Sequence, residues 1–251
     1  MKVTVLEPSG YCSGVDRAIN LALSTKKNNP DKPVVILGML VHNVDTLKTL
    51  QNAGILSIYD NVSSLEELAK CVKVPSIVIL TAHGHSKNVE KILKENGHEI
   101  VDATCPFVSN SFKEIEEATN SGNDVFYIGV KNHPEANAAL SISDKIHLIE
   151  SKNPVIPEIK STTPLIISQT TLSHSEVERI ENAITNFYPK AVISKGVCNA
   201  STLRQEALKN IPSDVDGIIV VGGINSNNSK TLFNLAKSLY PNKLIKLIQN
   251  S

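Results

Sequence analysis

The chain has 251 residues, with 25 Lys plus Arg against 25 Asp plus Glu, and so carries no formal net charge. That balance argues against a general nucleic-acid binder, which shows a basic excess, and ten aromatics without a Trp leave little for base stacking. An apolar share of 41% with 20% charged residues is that of an ordinary globular domain, and no apolar run approaches the ~20 residues of a membrane span. The N-terminus lacks the apolar stretch of a secretory signal, so a cytoplasmic chain (or one in an equivalent organellar stroma) with unbridged cysteines is expected.

Short β-branched runs alternate with amphipathic ones from end to end. Strands are expected at Val3–Leu6, Val34–Leu37, Ser76–Leu80, Glu99–Asp102, Asp124–Gly129, Leu165–Ser168, Ala191–Ser194 and Gly217–Val221. Helices are expected between them, at Val15–Ser24, Asn43–Asn52, Leu65–Val72, Lys87–Asn96, Val108–Asn120, His174–Phe187, Thr202–Asn210 and Lys230–Leu239. This alternation predicts an α/β fold of βαβ units with parallel sheets, whose ligand sites lie beyond the C-terminal ends of the strands.

Three of the four cysteines mark a repeat. Cys12, Cys105 and Cys198 stand 93 residues apart, each between a strand and a helix. A helix N-terminus favours thiolate over thiol through its free N–H groups and dipole. One period with one structural position predicts three similar modules around a common centre, where the sulfurs meet. Three converging thiolates need a cation between them: zinc with a fourth ligand, or an iron–sulfur group with one open iron. Cys71 breaks the pattern, on a helical face, and is expected to be inert packing.

Polar loops follow the same register. His42, His133 with Glu135, and Asn225-Ser226-Asn227-Asn228 come 30, 28 and 27 residues after their cysteines. His83 and the Thr170-Thr171 pair follow at 71 and 65 residues. The third counterpart would fall near residues 263–269, past Ser251, so the third module is expected to be incomplete. Imidazoles, hydroxyls and amides gathered at strand ends suit an anionic substrate. Glu135 is the single carboxylate among them; it either favours a helix N-terminus or donates a proton beside the substrate. His85, His98, His147 and His174 match no repeat position and are expected to be surface residues. Neither a P-loop nor a dinucleotide-binding glycine fingerprint is present.

Taken in order, the motifs resemble a known family. They are Gly10-Tyr11-Cys12-Ser13-Gly14-Val15-Asp16-Arg17, Val41-His42-Asn43, Thr81-Ala82-His83-Gly84 and Asp102-Ala103-Thr104-Cys105-Pro106. They continue with His133-Pro134-Glu135, Ser168-Gln169-Thr170-Thr171, Cys198-Asn199-Ala200-Ser201 with Arg204-Gln205, and Ser226-Asn227-Asn228-Ser229. Together they resemble the 4-hydroxy-3-methylbut-2-enyl diphosphate reductases, the LytB family, the last enzymes of the methylerythritol phosphate route to isoprenoids.

The resemblance implies three pseudo-threefold αβα modules arranged as a trefoil: residues 13–105, 106–195, and 1–12 with 196–251. It implies one 4Fe–4S cluster held by Cys12, Cys105 and Cys198, and reductive dehydroxylation of an allylic diphosphate to isopentenyl and dimethylallyl diphosphates. Glu135 would feed protons, Thr170 would order the hydroxyl or a water, and His133 would share the pocket. His42, His83, Thr171, Ser226, Asn227 and Asn228 complete the substrate-binding set. Electrons would come from ferredoxin or flavodoxin. Two departures concern single residues: Asn227 stands where the family has Ser, and Ser201 where it has Thr. A third is expected from the resemblance: the family's C-terminal glycine-, serine- and proline-rich loop would be missing, which would leave the third sheet with an unpaired edge and one side of the pocket open. The alternative is a non-catalytic or impaired relative that binds a cluster and diphosphate.

Overall fold

The computed structural model describes residues 2–41, 43–60, 64–194 and 198–249. A first round of elements runs α1 (Ser13–Asn28), β1 (Val34–Leu37), α2 (Val44–Asn52), β2 (Ile55–Ile58), α3 (Leu65–Lys70), β3 (Ile77–Leu80), α4 (Lys87–Glu95) and β4 (Glu99–Asp102). The second runs α5 (Pro106–Asn120), β5 (Val125–Gly129), α6 (Pro134–Leu140), β6 (Ile146–Glu150), β7 (Leu165–Ser168), α7 (His174–Phe187) and β8 (Val192–Ile193). The third has α8 (Asn199–Lys209), β9 (Gly217–Val221), α9 (Asn227–Leu239) and β10 (Leu244–Ile248).

Every strand pair given for the described residues is parallel. The first sheet has the order β2-β1-β3-β4, and the second repeats it one round later as β6-β5-β7-β8. The third sheet, β10-β9, repeats its first two strands. The protein is therefore an α/β molecule built on a repeated parallel sheet.

The inner strands are unbroken apolar runs because helices cover both faces. In the first sheet Val34, Ile36, Ile77 and Ile79 pack with Ala18 and Ala22 of α1 and with Leu50 of α2. Their neighbours Leu37, Val78 and Leu80 face the other way, onto α3 and α4. The second sheet divides likewise, Val125, Tyr127 and Ile167 lying against Ile115 of α5 and Ala136 and Ala139 of α6, while Phe126, Ile128 and Ile166 lie against α7. Burying one such side chain contributes ~1.5–3 kcal/mol, so these two cores hold the frame rigid. The third core is smaller: Leu208, Ile218 and Ala236 are buried, with Leu6 packed alongside, while Ile219 and Val221 of β9 are exposed.

Five sequence expectations change. Residues Val3–Leu6 form no strand; Val3 and Val5 are 73% and 68% exposed, and only Leu6 packs against a core. The outer strands β2, β6 and β10 escape a search for apolar runs, because polar Ser57, His147 and Lys246 interrupt them, the last two on partly exposed positions. Helix α6 has seven residues, too short for a clear period, and starts at Pro134, where a missing N–H costs nothing. Cys71 is exposed at the C-cap of α3 and so is not packing. Of the histidines assigned to the surface, His98 is buried, with Nδ1 accepting from the Ser76 N–H at 3.2 Å. His85 lies 3.1 Å from Glu90 and His147 2.7 Å from Asp124, both side chains largely covered; only His174 is well exposed. No described helix is long and apolar enough to cross a membrane.

Candidate active site

A parallel sheet of this order reverses direction between its first and third strands, and ligands gather beyond the strand ends at that point. In the first sheet the reversal lies between β1 and β3, whose following loops hold residue 42 and His83. In the second it lies between β5 and β7, followed by His133-Pro134-Glu135 and Gln169-Thr170-Thr171. The loop after β9 holds Ser226 to Asn228. His42 lies outside the described residues.

Cys12, Cys105 and Cys198 are the N-cap residues of α1, α5 and α8, and no side chain among them closes a capping hydrogen bond. A Cβ added to Gly14 would stand 2.8 Å from the Cys105 Sγ and 3.8 Å from the Cys12 Sγ, so the glycine occupies the gap between two sulfurs. Burial pushes the Cys105 thiol up; the Phe107 and Val108 N–H dipoles pull it down, and the nearby Cys198 and Cys12 push it up again. For Cys105 the expected preference for thiolate at a helix start is thus outweighed by desolvation. Two arginines brace these loops across sequence: Arg17 of α1 donates to the Thr104 carbonyl at 3.1 Å, and Arg204 of α8 to the Gly10 carbonyl at 2.9 Å. The helix that follows one cysteine holds the loop that carries another. Among the described residues, no group of three or more His, Cys, Asp or Glu is arranged to hold a metal ion.

The second sheet builds an acid. Glu135 begins α6 and is only 2% exposed. Its Oε1 accepts from the Thr170 N–H at 2.8 Å and from the Tyr127 hydroxyl at 3.4 Å, and its Oε2 lies 2.9 Å from the Thr170 hydroxyl. Burial raises the carboxyl from its ordinary 4.5 to about 7, although the Thr170 and Tyr127 bonds pull the other way. Tyr127 is itself raised well above its usual value, first by burial and then by Glu135. The group is therefore an acid that holds its proton near neutrality, with the half-buried Thr170 hydroxyl as its nearest outlet.

Two histidines meet across the sheets. His83 and His133 are both half-buried, and their rings pack edge to face with centroids 5.8 Å apart. His133 caps α6 by accepting the Glu135 N–H at Nδ1, 3.2 Å away, so its neutral ring carries the hydrogen on Nε2 as a donor. Gly84, at φ +83°, lets the chain turn behind His83; a Cβ there would come within 2.5 Å of the Phe112 ring on α5.

The third sheet supplies the remaining residues. Ser226 caps α9 by accepting the Ser229 N–H at 3.3 Å, and Asn228 Oδ1 accepts from the buried Ser201 hydroxyl at 3.3 Å. Asn227 Nδ2 donates to Thr171 Oγ1 at 2.7 Å, and Gln205 of α8 holds the same loop through the His174 N–H and the Leu172 carbonyl.

Residues 3–250 match the family model described as LytB protein. The chain belongs to the LytB family. A protein of Malacoplasma penetrans named 4-hydroxy-3-methylbut-2-enyl diphosphate reductase is 36% identical over 239 residues, which cover 92% of this chain and 80% of that one. One of Bacillus cereus with the same name is 37% identical over 251 residues, covering 98% and 78%. The solved structure of the E-1-hydroxy-2-methyl-but-2-enyl-4-diphosphate reductase from Plasmodium falciparum superposes with a TM-score of 0.83 at 27% identity, over 97% of this chain and 74% of that one. As a LytB member the chain is an oxidoreductase.

Sequence reasoning missed Tyr127 and gave no role to Gln169, Gln205, Arg17 or Arg204. Tyr127 sits inside an apolar strand and looks like any core aromatic. The other four stand within the quoted motifs, where polar residues beside a cysteine or a threonine were the available signal.

Proposed function

We propose that this chain reductively dehydroxylates 4-hydroxy-3-methylbut-2-enyl diphosphate to isopentenyl and dimethylallyl diphosphates. The observation that carries the reading is the meeting of the Cys12 and Cys105 sulfurs around Gly14, with Cys198 near enough to Cys105 to act on its thiol. Three thiols, a glycine gap between two of them and no side-chain capping bonds fit a bulky inorganic group better than a lone ion. Cys12, Cys105 and Cys198 would hold a 4Fe–4S cluster, which when bound supplies Lewis acidity and single electrons. On this reading the modules are residues 13–105, 106–195, and 1–12 with 196–251; the packing of Leu6 on the third core supports the last pairing.

The overall change takes two electrons and two protons, breaks the C–O bond and releases water. Hydroxide is a poor leaving group, so an acid must protonate the departing oxygen. Glu135 holds such a proton in a dry site. When protonated it donates from Oε2 to Thr170 Oγ1, which frees the Thr170 hydrogen to move on toward the substrate hydroxyl. The Thr170 N–H keeps the carboxyl in place throughout. His83, His133 through Nε2, Ser226 and Asn228 would fix the diphosphate together with His42, and so orient the allylic end. A ferredoxin or flavodoxin is the proposed electron donor. An impaired relative is the weaker reading, because the chain carries all three cysteines and its Glu135 is hydrogen-bonded to Thr170.

Anaerobic isolation should yield about four iron and four sulfide per chain. Reduction with dithionite should then drive turnover of the allylic diphosphate. A fully loaded sample without turnover would overturn the reductase reading, and about one zinc without sulfide would overturn the cluster.

A further inference from the structure

Thr171 lies next to the proton outlet, and its hydroxyl has unusual surroundings. The Val130 backbone N–H can only donate, and it donates to Gln169 Oε1 at 3.0 Å. That fixes the orientation of the Gln169 amide, whose Nε2 therefore faces Thr171 Oγ1 and donates to it at 2.9 Å. Asn227 Nδ2, from the start of α9, donates to the same oxygen at 2.7 Å. A hydroxyl has two lone pairs and one hydrogen. With both lone pairs taken, Thr171 has only its hydrogen left to offer.

The backbone that carries this hydroxyl is itself held. Its carbonyl accepts from the Thr231 hydroxyl at 3.0 Å, and the next carbonyl, that of Leu172, accepts from Gln205 Nε2 at 3.2 Å. Thr171 as a residue is half-buried rather than sealed in the core. A neutral group that can only donate selects an anionic oxygen. Asn227 differs in kind from a serine at the same place: its amide nitrogen stands one bond farther from Cβ, which is what reaches Thr171.

We infer that Asn227 is a positioning residue that commits the Thr171 hydroxyl to donate to the diphosphate, rather than a diphosphate ligand itself. The inference rests on the diphosphate reading above and deepens it. The third sheet thereby acts on substrate through the second.

The test uses the full chain, loaded anaerobically, with calorimetric affinity for inorganic pyrophosphate as the main readout and KM against kcat as the second. Thr171→Val should weaken pyrophosphate about tenfold or more, the loss of one hydrogen bond to a charged group. Asn227→Ala, which leaves Gln169 as the single holder, should weaken it about three- to fivefold. The double variant should be no weaker than Thr171→Val alone, and Thr171→Ser should bind nearly as wild type does. KM should follow these changes while kcat moves little. Three results would each overturn the inference while the wild type binds: Asn227→Ala costing more than Thr171→Val, factors that multiply in the double variant, or Thr171→Ser binding as poorly as Thr171→Val. A loaded wild type that does not bind pyrophosphate would sink the diphosphate reading itself, and this inference with it.

Discussion

The first and second sheets have one strand order and opposite chemistry. Both place a loop after their first and third strands at the point where the sheet reverses. Beyond the first sheet stands His83, a half-buried imidazole. Beyond the second, the equivalent loops bring a carboxylate and a threonine together, and the protein closes over them until Glu135 is 2% exposed. A repeated frame thus sets where functional groups stand, while local burial sets what they do. Burial turns an ordinary glutamate into a proton reservoir; the same frame with more water access gives only a hydrogen-bond donor.

The largest expected effect lies at the seam between the two sheets. Gly14→Ala puts a Cβ within 2.8 Å of the Cys105 sulfur. Gly14 lies in the first turn of α1 and needs no left-handed backbone, so alanine suits the helix and the fold should be kept. The displaced sulfur should nonetheless cost the protein its iron and, with it, all turnover. Cys105→Ser should do the same by removing the ligand. Metal analysis beside circular dichroism checks both; Gly14→Ala with full iron would place the gap between the sulfurs away from any cofactor.

Next comes Glu135→Gln, which keeps the shape and removes the proton. Turnover should fall about 10²–10⁴-fold, with iron and sulfide unchanged. The wild type should also lose activity as pH rises through about 7, where the carboxyl gives up its proton, and the variant should lack that limb. A pH–rate profile of both proteins decides the point. An unchanged falling limb in Glu135→Gln would assign it to another group.

The difference between the sheets was only half legible in the sequence. The equal spacing of Cys12, Cys105 and Cys198 and the polar loops after each strand are linear facts, and they placed the loops. Inner strands such as Val34–Leu37 were legible because burial on two faces leaves an unbroken apolar run. Outer strands were not, since one wet face admits residues such as Lys246. Burial of Glu135 had no linear signal: its lid is made by Tyr127 and Thr170, 8 residues before it and 35 after it in the chain. The same holds for Asn227, whose partner Thr171 lies 56 residues away. The Val3–Leu6 pattern misled because alternation predicts a strand only where a neighbour offers a ladder, and none does among the described residues.

A smaller effect is expected on the first sheet's side. His83→Ala should raise KM about ten- to a hundredfold, through loss of a donor to a charged ligand, with kcat nearly unchanged. The contrast with Glu135→Gln is the point: one sheet end acts in binding, the other in proton delivery. A kcat loss in His83→Ala as large as that in Glu135→Gln would erase the distinction.

The smallest effect concerns stability, and its sign follows from burial. The folded protein holds the Glu135 proton more tightly than the unfolded chain does, because its carboxyl stands at about 7 instead of 4.5. Below pH 4.5 both states are protonated, and the group contributes no pH dependence. As pH rises from 4.5 to about 7, the unfolded chain ionises first and gains, so the folded state loses stability. Above that range the loss levels off at about 3 kcal/mol. Neither Tyr127 nor Thr170, the groups that touch the carboxyl, brings a positive charge to offset this. Glutamine cannot ionise, so Glu135→Gln should hold its stability through the same window. Urea unfolding of both loaded proteins at pH 5 and pH 8 isolates the difference, since cofactor and all other groups are shared. Parallel losses in the two proteins would mean that the Glu135 carboxyl is solvated rather than dry, and the contrast between the two sheet ends would go with it.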